Sequence, residues 1–497
     1  IMPSLVGSEM CIRDSYYTLT FSFSCRPLLN KSGDCVMDYA DILIKNAIII
    51  TMDKNKRVID DGAIAIVDDK IVAVDKTSRV EQKYKSEKVI CGKGRIVLPG
   101  FINTHDHLFQ TLLRSMGDDM NLNDWWPNTV GPITPYLTKK DMYYAALTGC
   151  IELIRSGVTA NLDYQYANPR PLIAEGVLEA FLQIGIRGVL GRGYSDVDMF
   201  DFGLPDDIIE STEQALSDTE TLIKRWHGKA NGRIKIWLAP GAPFANSDEN
   251  LAKTREFANK YGIGITMHIQ EARAEVDTWK EHFGTTPVQY YAKKVPELFG
   301  PDFISVHSVW LEPEDIKIFA KTGVTVSHNT NSNMYLSSGV APVPEMLKQG
   351  IPVSLGVDGA ASNNSKDFFE MLKNTVLMHK VHTLNPTILT SVDVLEMATM
   401  GGARSLMMEK EIGSLEVGKK ADLSIFDYTM ANMVPLNRPM SQIVYCGKAA
   451  NIETVIIDGR IIMENRVIKT VNEEEVLRKT QKITEDIHER AGRGEYR

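Results

Sequence analysis

Residues 98–110 read Leu98-Pro99-Gly100-Phe101-Ile102-Asn103-Thr104-His105-Asp106-His107-Leu108-Phe109-Gln110. An apolar run, Arg95-Ile96-Val97-Leu98, leads into Pro99-Gly100. A second apolar pair, Phe101-Ile102, then runs toward two histidines spaced i, i+2. Residues so spaced in a strand face the same side, so His105 and His107 aim at one point, as a metal site requires. Taken alone they could equally be exposed loop histidines, and the rest of the chain decides between the two.

Downstream, short apolar segments alternate with helical patterns. Strands are predicted at 158–164, 186–194, 234–240, 264–270, 304–310, 324–329 and 352–359. Helices are predicted at 139–155 (Thr138 as N-cap, Gly157 as stop), 210–226, 251–261 and 313–321, the last opening on a proline. With the strand that ends at His107, this makes eight β/α units, hence an α/β chain folded as a (β/α)8 TIM-type barrel. In that fold the reacting residues stand at the C-terminal ends of the strands. Residues 118–138 interrupt the pattern with Trp125-Trp126-Pro127; such a loop is read as a lid or substrate wall, with simple packing as the alternative.

Segments 41–51 and 62–75 are β-branched and apolar with turn signals, and segments 421–426, 454–458 and 461–463 match them at the far end. The expected organisation is a small composite β-sandwich from 37–97 and 415–470, a catalytic barrel over 98–414 and a charged, mostly exposed helix within 471–497. Residues 1–36 fit neither pattern nor a secretory signal; they are read as a disordered or non-native leader, with Met37 as the natural start.

The chain has 497 residues, 43% hydrophobic and 24% charged, with a net charge of -9. That is ample for a large core and argues against nucleic acid or an anionic membrane surface as partner. No apolar run is long enough to span a bilayer. Six cysteines without Cys-x-x-Cys spacing argue against a cysteine zinc site and point to a reducing, cytoplasmic setting.

Half of the ten histidines fall at predicted strand ends: His105 and His107 at the first, His268 at the fifth, His307 at the sixth and His328 at the seventh. Asp358 closes the eighth. Three imidazoles and a carboxylate suit Zn²⁺, with Fe²⁺ as the alternative, and leave room for water. Glu271, three residues beyond His268, is placed for proton transfer, or else is a helix-start carboxylate. His307 and His328 could instead be satisfied core histidines.

Together these motifs make the chain similar to the metal-dependent amidohydrolase superfamily. The resemblance is carried by 98–107, by His268-Ile269-Gln270-Glu271, by 326–333 (Val-Ser-His-Asn-Thr-Asn-Ser-Asn), by 338–343, by 356–364 and by 413–423. Within that superfamily it resembles the branch of methylthioadenosine/S-adenosylhomocysteine deaminases, 8-oxoguanine deaminases and triazine aminohydrolases. The resemblance implies one divalent metal on His105, His107, His268 and Asp358, and hydrolytic loss of an exocyclic amine as ammonia. Glu271 would take a proton from water and pass it to a ring nitrogen, while His307 and Asp358 hold the hydroxide. It also implies a small heterocyclic substrate and, by analogy, a homodimer. The His-x-Glu and Pro-Cys-x-x-Cys signature of the other zinc deaminases is absent.

The substrate is less determined. The adenosine-thioether deaminases carry a ribose-binding Glu where this chain has Thr134, and a His where it has Gly241, whereas Arg192 is retained. Gln110 and the Tyr164-Gln165-Tyr166 run resemble enzymes acting on free purines, pterins or triazines. A free heterocycle is therefore expected, contacted by Gln110, Gln165, Arg192 and His328 and stacked on Trp125 or Trp126. Nucleosides are the alternative. A chlorohydrolase or cyclic-amide hydrolase is a further one, but a binuclear site would need a lysine at the end of strand four, and Lys235 stands near its start.

Overall fold

The computed structural model describes residues 37–493; the leader expected at 1–36 lies outside them. Eight parallel strands close into a barrel in chain order: β1 (Phe101–Asp106), β2 (Val158–Gln165), β3 (Arg187–Tyr194), β4 (Ile234–Pro240), β5 (Ile265–Ile269), β6 (Phe303–His307), β7 (Thr325–His328) and β8 (Val353–Leu355). Three strands stop earlier than their apolar runs do. Gln270 (φ 52°), His307 (φ 66°) with Ser308 (φ 52°), and Asp358 (φ 62°) all turn through left-handed backbone. Non-glycine residues adopt that region at a cost, and such residues gather at functional sites.

The helices between the strands begin and end where local chemistry dictates. Lys139–Arg155 opens on a reciprocal capping box between Thr138 and Asp141, which satisfies two otherwise orphaned amides. Pro313–Thr322 has its proline in the first turn and stops at Gly323 (φ 82°), where the left-handed backbone costs glycine little. Glu473–Arg490 is less exposed than its charge implies: Val476, Thr480, Ile483 and Ile487 form a buried stripe at helical spacing. This face packs on Lys139–Arg155, with Thr480 Oγ1 2.7 Å from Thr148 Oγ1 and Glu473 paired to Arg155 at 2.6 Å. No helix among the described residues is long and apolar enough to cross a membrane.

Both ends of the described chain meet in one nine-stranded sheet. Ile42–Ile50 pairs with Val58–Val67, Lys88–Cys91 and Arg95–Pro99. Arg95–Pro99 pairs in turn with Leu423–Asp427, which leads through Ile452–Ile457 and Arg460–Glu464 to Val467–Ile468. Isoleucines from both ends share a core: Ile44, Ile64 and Ile66 pack with Ile425 and Ile456. The Pro99-Gly100 pair is the hand-over from this sheet to the barrel. Pro99 lies opposite Leu423, while Gly100 sits where any side chain would strike Thr159 at 2.1 Å.

A buried ion pair ties the sheet to the barrel. Arg187, on β3, reaches Asp422 at 2.8 Å and Asp458 at 3.4 Å, and all three side chains are shielded from solvent. Asp422 also accepts the Asp458 amide at 2.7 Å. Removing one member leaves charge stranded in the interior. Arg187→Met should lower unfolding stability by about 3–5 kcal/mol, read as a shifted midpoint in urea denaturation of the whole chain.

Candidate active site and metal centre

The C-terminal ends of β1, β5, β6 and β8 converge. His105 Nε2 lies 3.2 Å and His107 Nε2 3.3 Å from Asp358 Oδ1, and His268 Nε2 lies 3.3 Å from His107 Nε2. His307 Nε2 lies 3.4 Å from Glu271 Oε2 and 3.9 Å from Asp358 Oδ2. Gly356 makes this crowding possible, since a side chain there would meet His105 Cβ at 2.7 Å.

Each group is held from behind. His107 Nδ1 sits 2.7 Å from the Tyr164 carbonyl, and His307 Nδ1 2.9 Å from Asn333 Oδ1. Ser362 Oγ donates to Asp358 Oδ2 at 3.1 Å. Glu275 accepts the backbone amides of Gln270 and Glu271 at 3.1 and 3.2 Å, which fixes the turn that presents Glu271. Such backing orients ligands and sets their basicity.

Burial dominates the electrostatics. It lowers His105, His268 and His107, the last to about 3, with the neighbouring histidines adding to the effect on His268 and His107. These imidazoles are therefore neutral, as ligands must be. Burial also resists ionisation of Asp358, but the hydrogen bond from His105 and the adjoining His307 and His107 rings outweigh it and hold the carboxyl well below its usual range. Glu271 is pushed up to about 7 by burial, with His307 opposing and Asp358 reinforcing. A carboxylate near neutrality can both accept and return a proton.

The residues present fit a divalent cation. Ligand atoms of His105, His107 and His268 lie within 4.8 Å of one another, as do those of His105, His307 and Asp358. Neither ring nitrogen of His105 makes a well-aligned hydrogen bond among the described residues, although the ring is fully buried. Orphaned buried nitrogens beside a carboxylate are what a metal would satisfy.

Above the site opens a cleft lined mostly by apolar and aromatic side chains with a few polar groups converging on it, the usual make-up of a small-molecule site. His107, His268, Glu271, His307 and Asp358 line its floor, and Gln110, Trp125 and Trp126 its wall. Gln110 Nε2 donates to the Tyr166 hydroxyl at 2.7 Å, Trp125 Nε1 to the Ala361 carbonyl at 2.8 Å, and Trp126 Nε1 has no partner among the described residues.

Three expected substrate contacts are not in the cleft. Gln165 points the other way from Tyr164 and Tyr166, which do line it, because alternate strand residues face opposite sides; its amide donates to the Ala167 carbonyl at 2.7 Å. Arg192 is buried against Glu210 and, at 3.3 Å, Asp218, so its charge is already spent. His328 is turned to His379, with Nε2 atoms 3.3 Å apart. Glu275, Tyr166 and Ser362 escaped notice as site residues. Among them only Tyr166, inside the quoted tyrosine run, carried a signal.

The model of the amidohydrolase family matches residues 96–462. The chain belongs to this family. It is 40% identical over 449 residues to the 5′-deoxyadenosine deaminase of Methanobrevibacter smithii, covering 90% of this chain and 98% of that one. It is 36% identical, with the same coverage, to the 5-methylthioadenosine/S-adenosylhomocysteine deaminase of Syntrophobacter fumaroxidans. Among solved structures, an adenosine deaminase from Xanthomonas campestris with bound zinc superposes with a TM-score of 0.85 at 25% identity, covering 91% of this chain and all of that one. This family member is thus a hydrolase of carbon–nitrogen bonds with a metal site.

Two outcomes follow from neutral, buried ligands. The purified amidohydrolase should carry a divalent ion that His105→Ala or Asp358→Ala loses, as read by elemental analysis. Its metal-free form should melt at lower temperature as pH falls below about 6.5, because the unfolded chain binds protons that the folded histidines refuse. A midpoint unchanged between about pH 7.5 and 5 would contradict this reading of the histidines.

Proposed function

We propose that this amidohydrolase deaminates a 6-aminopurine nucleoside with an apolar 5′ end, using one zinc ion on His105, His107, His268 and Asp358. The observation that carries the reading is the cleft itself: a floor of acid–base groups under a wall of apolar side chains. Phe202, Leu204, Ile208 and Phe244 line its outer part, with Phe202 stacked on Phe244 at 4.1 Å between ring centres. No lysine or arginine lines it among the described residues. The names of the relatives, among them a deaminase of 5′-deoxyadenosine, point the same way.

The ion, when bound, supplies Lewis acidity that brings the pKa of water down toward about 7. Glu271, held near neutrality, takes a proton from that water at its carboxylate and delivers it to a ring nitrogen. His307, fixed by Asn333 with its Nε2 3.4 Å from Glu271, stands beside the carboxylate and the place where the oxygen charge develops. Asp358 holds the attacking oxygen from the other side. Tyr164, Tyr166 and Trp126 exclude water from the ring. The second proton then passes from the attacking oxygen to the amino nitrogen, the carbon–nitrogen bond breaks to release ammonia, and a carbonyl remains.

Two observations favour the second reading, a free heterocycle. Thr134, at the position expected for a ribose-binding Glu, is buried and donates to the Val130 carbonyl at 2.9 Å. Gly241 lies where any side chain would strike Ser195 Oγ at 2.7 Å, so a histidine could not replace it without rearrangement.

Ammonia release from zinc-loaded protein separates the readings. 5′-Deoxyadenosine and methylthioadenosine should react best. S-Adenosylhomocysteine should show kcat/KM at least about tenfold lower, since its charged tail meets no partner. Glu271→Gln should cut kcat by roughly 10²–10⁴-fold. Release only from guanine, 8-oxoguanine, isoxanthopterin or aminotriazines would establish the free-heterocycle reading instead, and silence across the panel would refute deamination.

A further inference from the structure

Directly behind the metal ligands lies an ion pair that the reaction does not use. Asp106, the last residue of β1, stands between His105 and His107, and its side chain leaves the strand on the face opposite that of His105. There it meets the ammonium of Lys366, and both side chains are completely buried. Lys366 Nζ also lies 3.4 Å from the carbonyl oxygen of Asp358, the ligand with left-handed backbone. One ammonium therefore touches the main chain of one proposed ligand and the side chain lodged between two others.

The remaining contacts fix this cation in place. Asp106 Oδ2 accepts from Asn103 Nδ2 at 3.2 Å, and Asn103 Oδ1 accepts the Val357 amide at 2.9 Å. The Lys366 amide donates to Glu152 Oε1 at 2.8 Å, and Glu152 is paired with Arg114 at 2.6 Å. A lysine is costly to bury, and replacing this pair with apolar residues would fill the same space. What the pair adds is direction: it sets the distance between the β1 ligands and the turn that carries Asp358.

We propose that Lys366 is a positioning residue of the metal centre, holding His105, His107 and Asp358 in register through Asp106 and the Asp358 carbonyl. The proposal rests on the metal assignment above. Its test is zinc affinity by chelator competition, together with the visible spectrum of the Co(II)-loaded full chain, for wild type, Lys366→Met and the double variant Asp106→Asn/Lys366→Met. Lys366→Met should weaken zinc binding about 10–100-fold, shift the Co(II) bands and lower kcat while KM stays within about twofold. The double variant, which strands no charge, keeps the test valid should the single variant fail to fold. It should melt near wild type yet retain the weakened affinity and altered spectrum. Zinc affinity within about threefold of wild type and unchanged Co(II) bands in whichever variant folds would overturn the proposal. Wild-type protein that takes up no zinc or cobalt would refute the metal assignment itself.

Discussion

Between the eighth and first strands the backbone ladder thins to Leu355 opposite Asn103, and side chains finish the seam. Thr104 Oγ1 lies 2.8 Å from Ser327 Oγ and 2.9 Å from Ser354 Oγ, and it donates to the Leu355 carbonyl at 3.0 Å. Asn103 accepts the Val357 amide, and the Asp358 amide reaches the His105 carbonyl at 3.1 Å. The proposed ligands from β1 and from the turn after β8 meet across this seam. A barrel that closed only through main-chain bonds would leave them less constrained where the chemistry needs them most.

Burial on this scale would be destructive without sorting of charge. The interior around the seam holds Asp106, Asp163, Asp358 and Glu271, with half-buried Glu275 at the cleft and Lys366 as the cation beside Asp106. Burial drives Asp163 and Glu275 up to about 8 and Asp106 to about 6. Asp163 accepts the Leu108 amide at 2.7 Å, and Glu275 accepts two amides of its own. The carboxyl groups thus divide between Asp163 and Glu275, which hold backbone amides, and Glu271 and Asp358, which face the histidines at the cleft floor.

Much of this was legible in the sequence, because it lies in local patterns. The alternation of strand and helix, the Thr138 cap and the clustering of His105, His107, His268, His307 and Asp358 at strand ends all depend on neighbours a few residues away. Two of the expected contacts outside the cleft, Arg192 and His328, depend on partners farther along the chain. Arg192 looked available until Glu210 and Asp218 folded onto it. His328 sits at a strand end like the ligands, but its partner His379 comes from a helix 51 positions later. Gln165 missed by one residue, the distance that reverses a strand side chain. Lys366 had no pattern to announce it, since its meaning lies in a carboxylate 260 positions earlier.

The sheet shared by both ends of the described chain has a consequence for biogenesis. Arg95–Pro99 leaves the ribosome more than three hundred residues before Leu423–Asp427, the neighbour it must hydrogen-bond. Arg187 waits 235 residues for Asp422. A nascent barrel half therefore exposes an unpaired strand edge and a cation destined for the interior, and such contacts of long sequence separation form slowly. Neither contact can form before residues 422–427 are made, so closing the shared sheet and tying it to the barrel is a late, long-range step of folding.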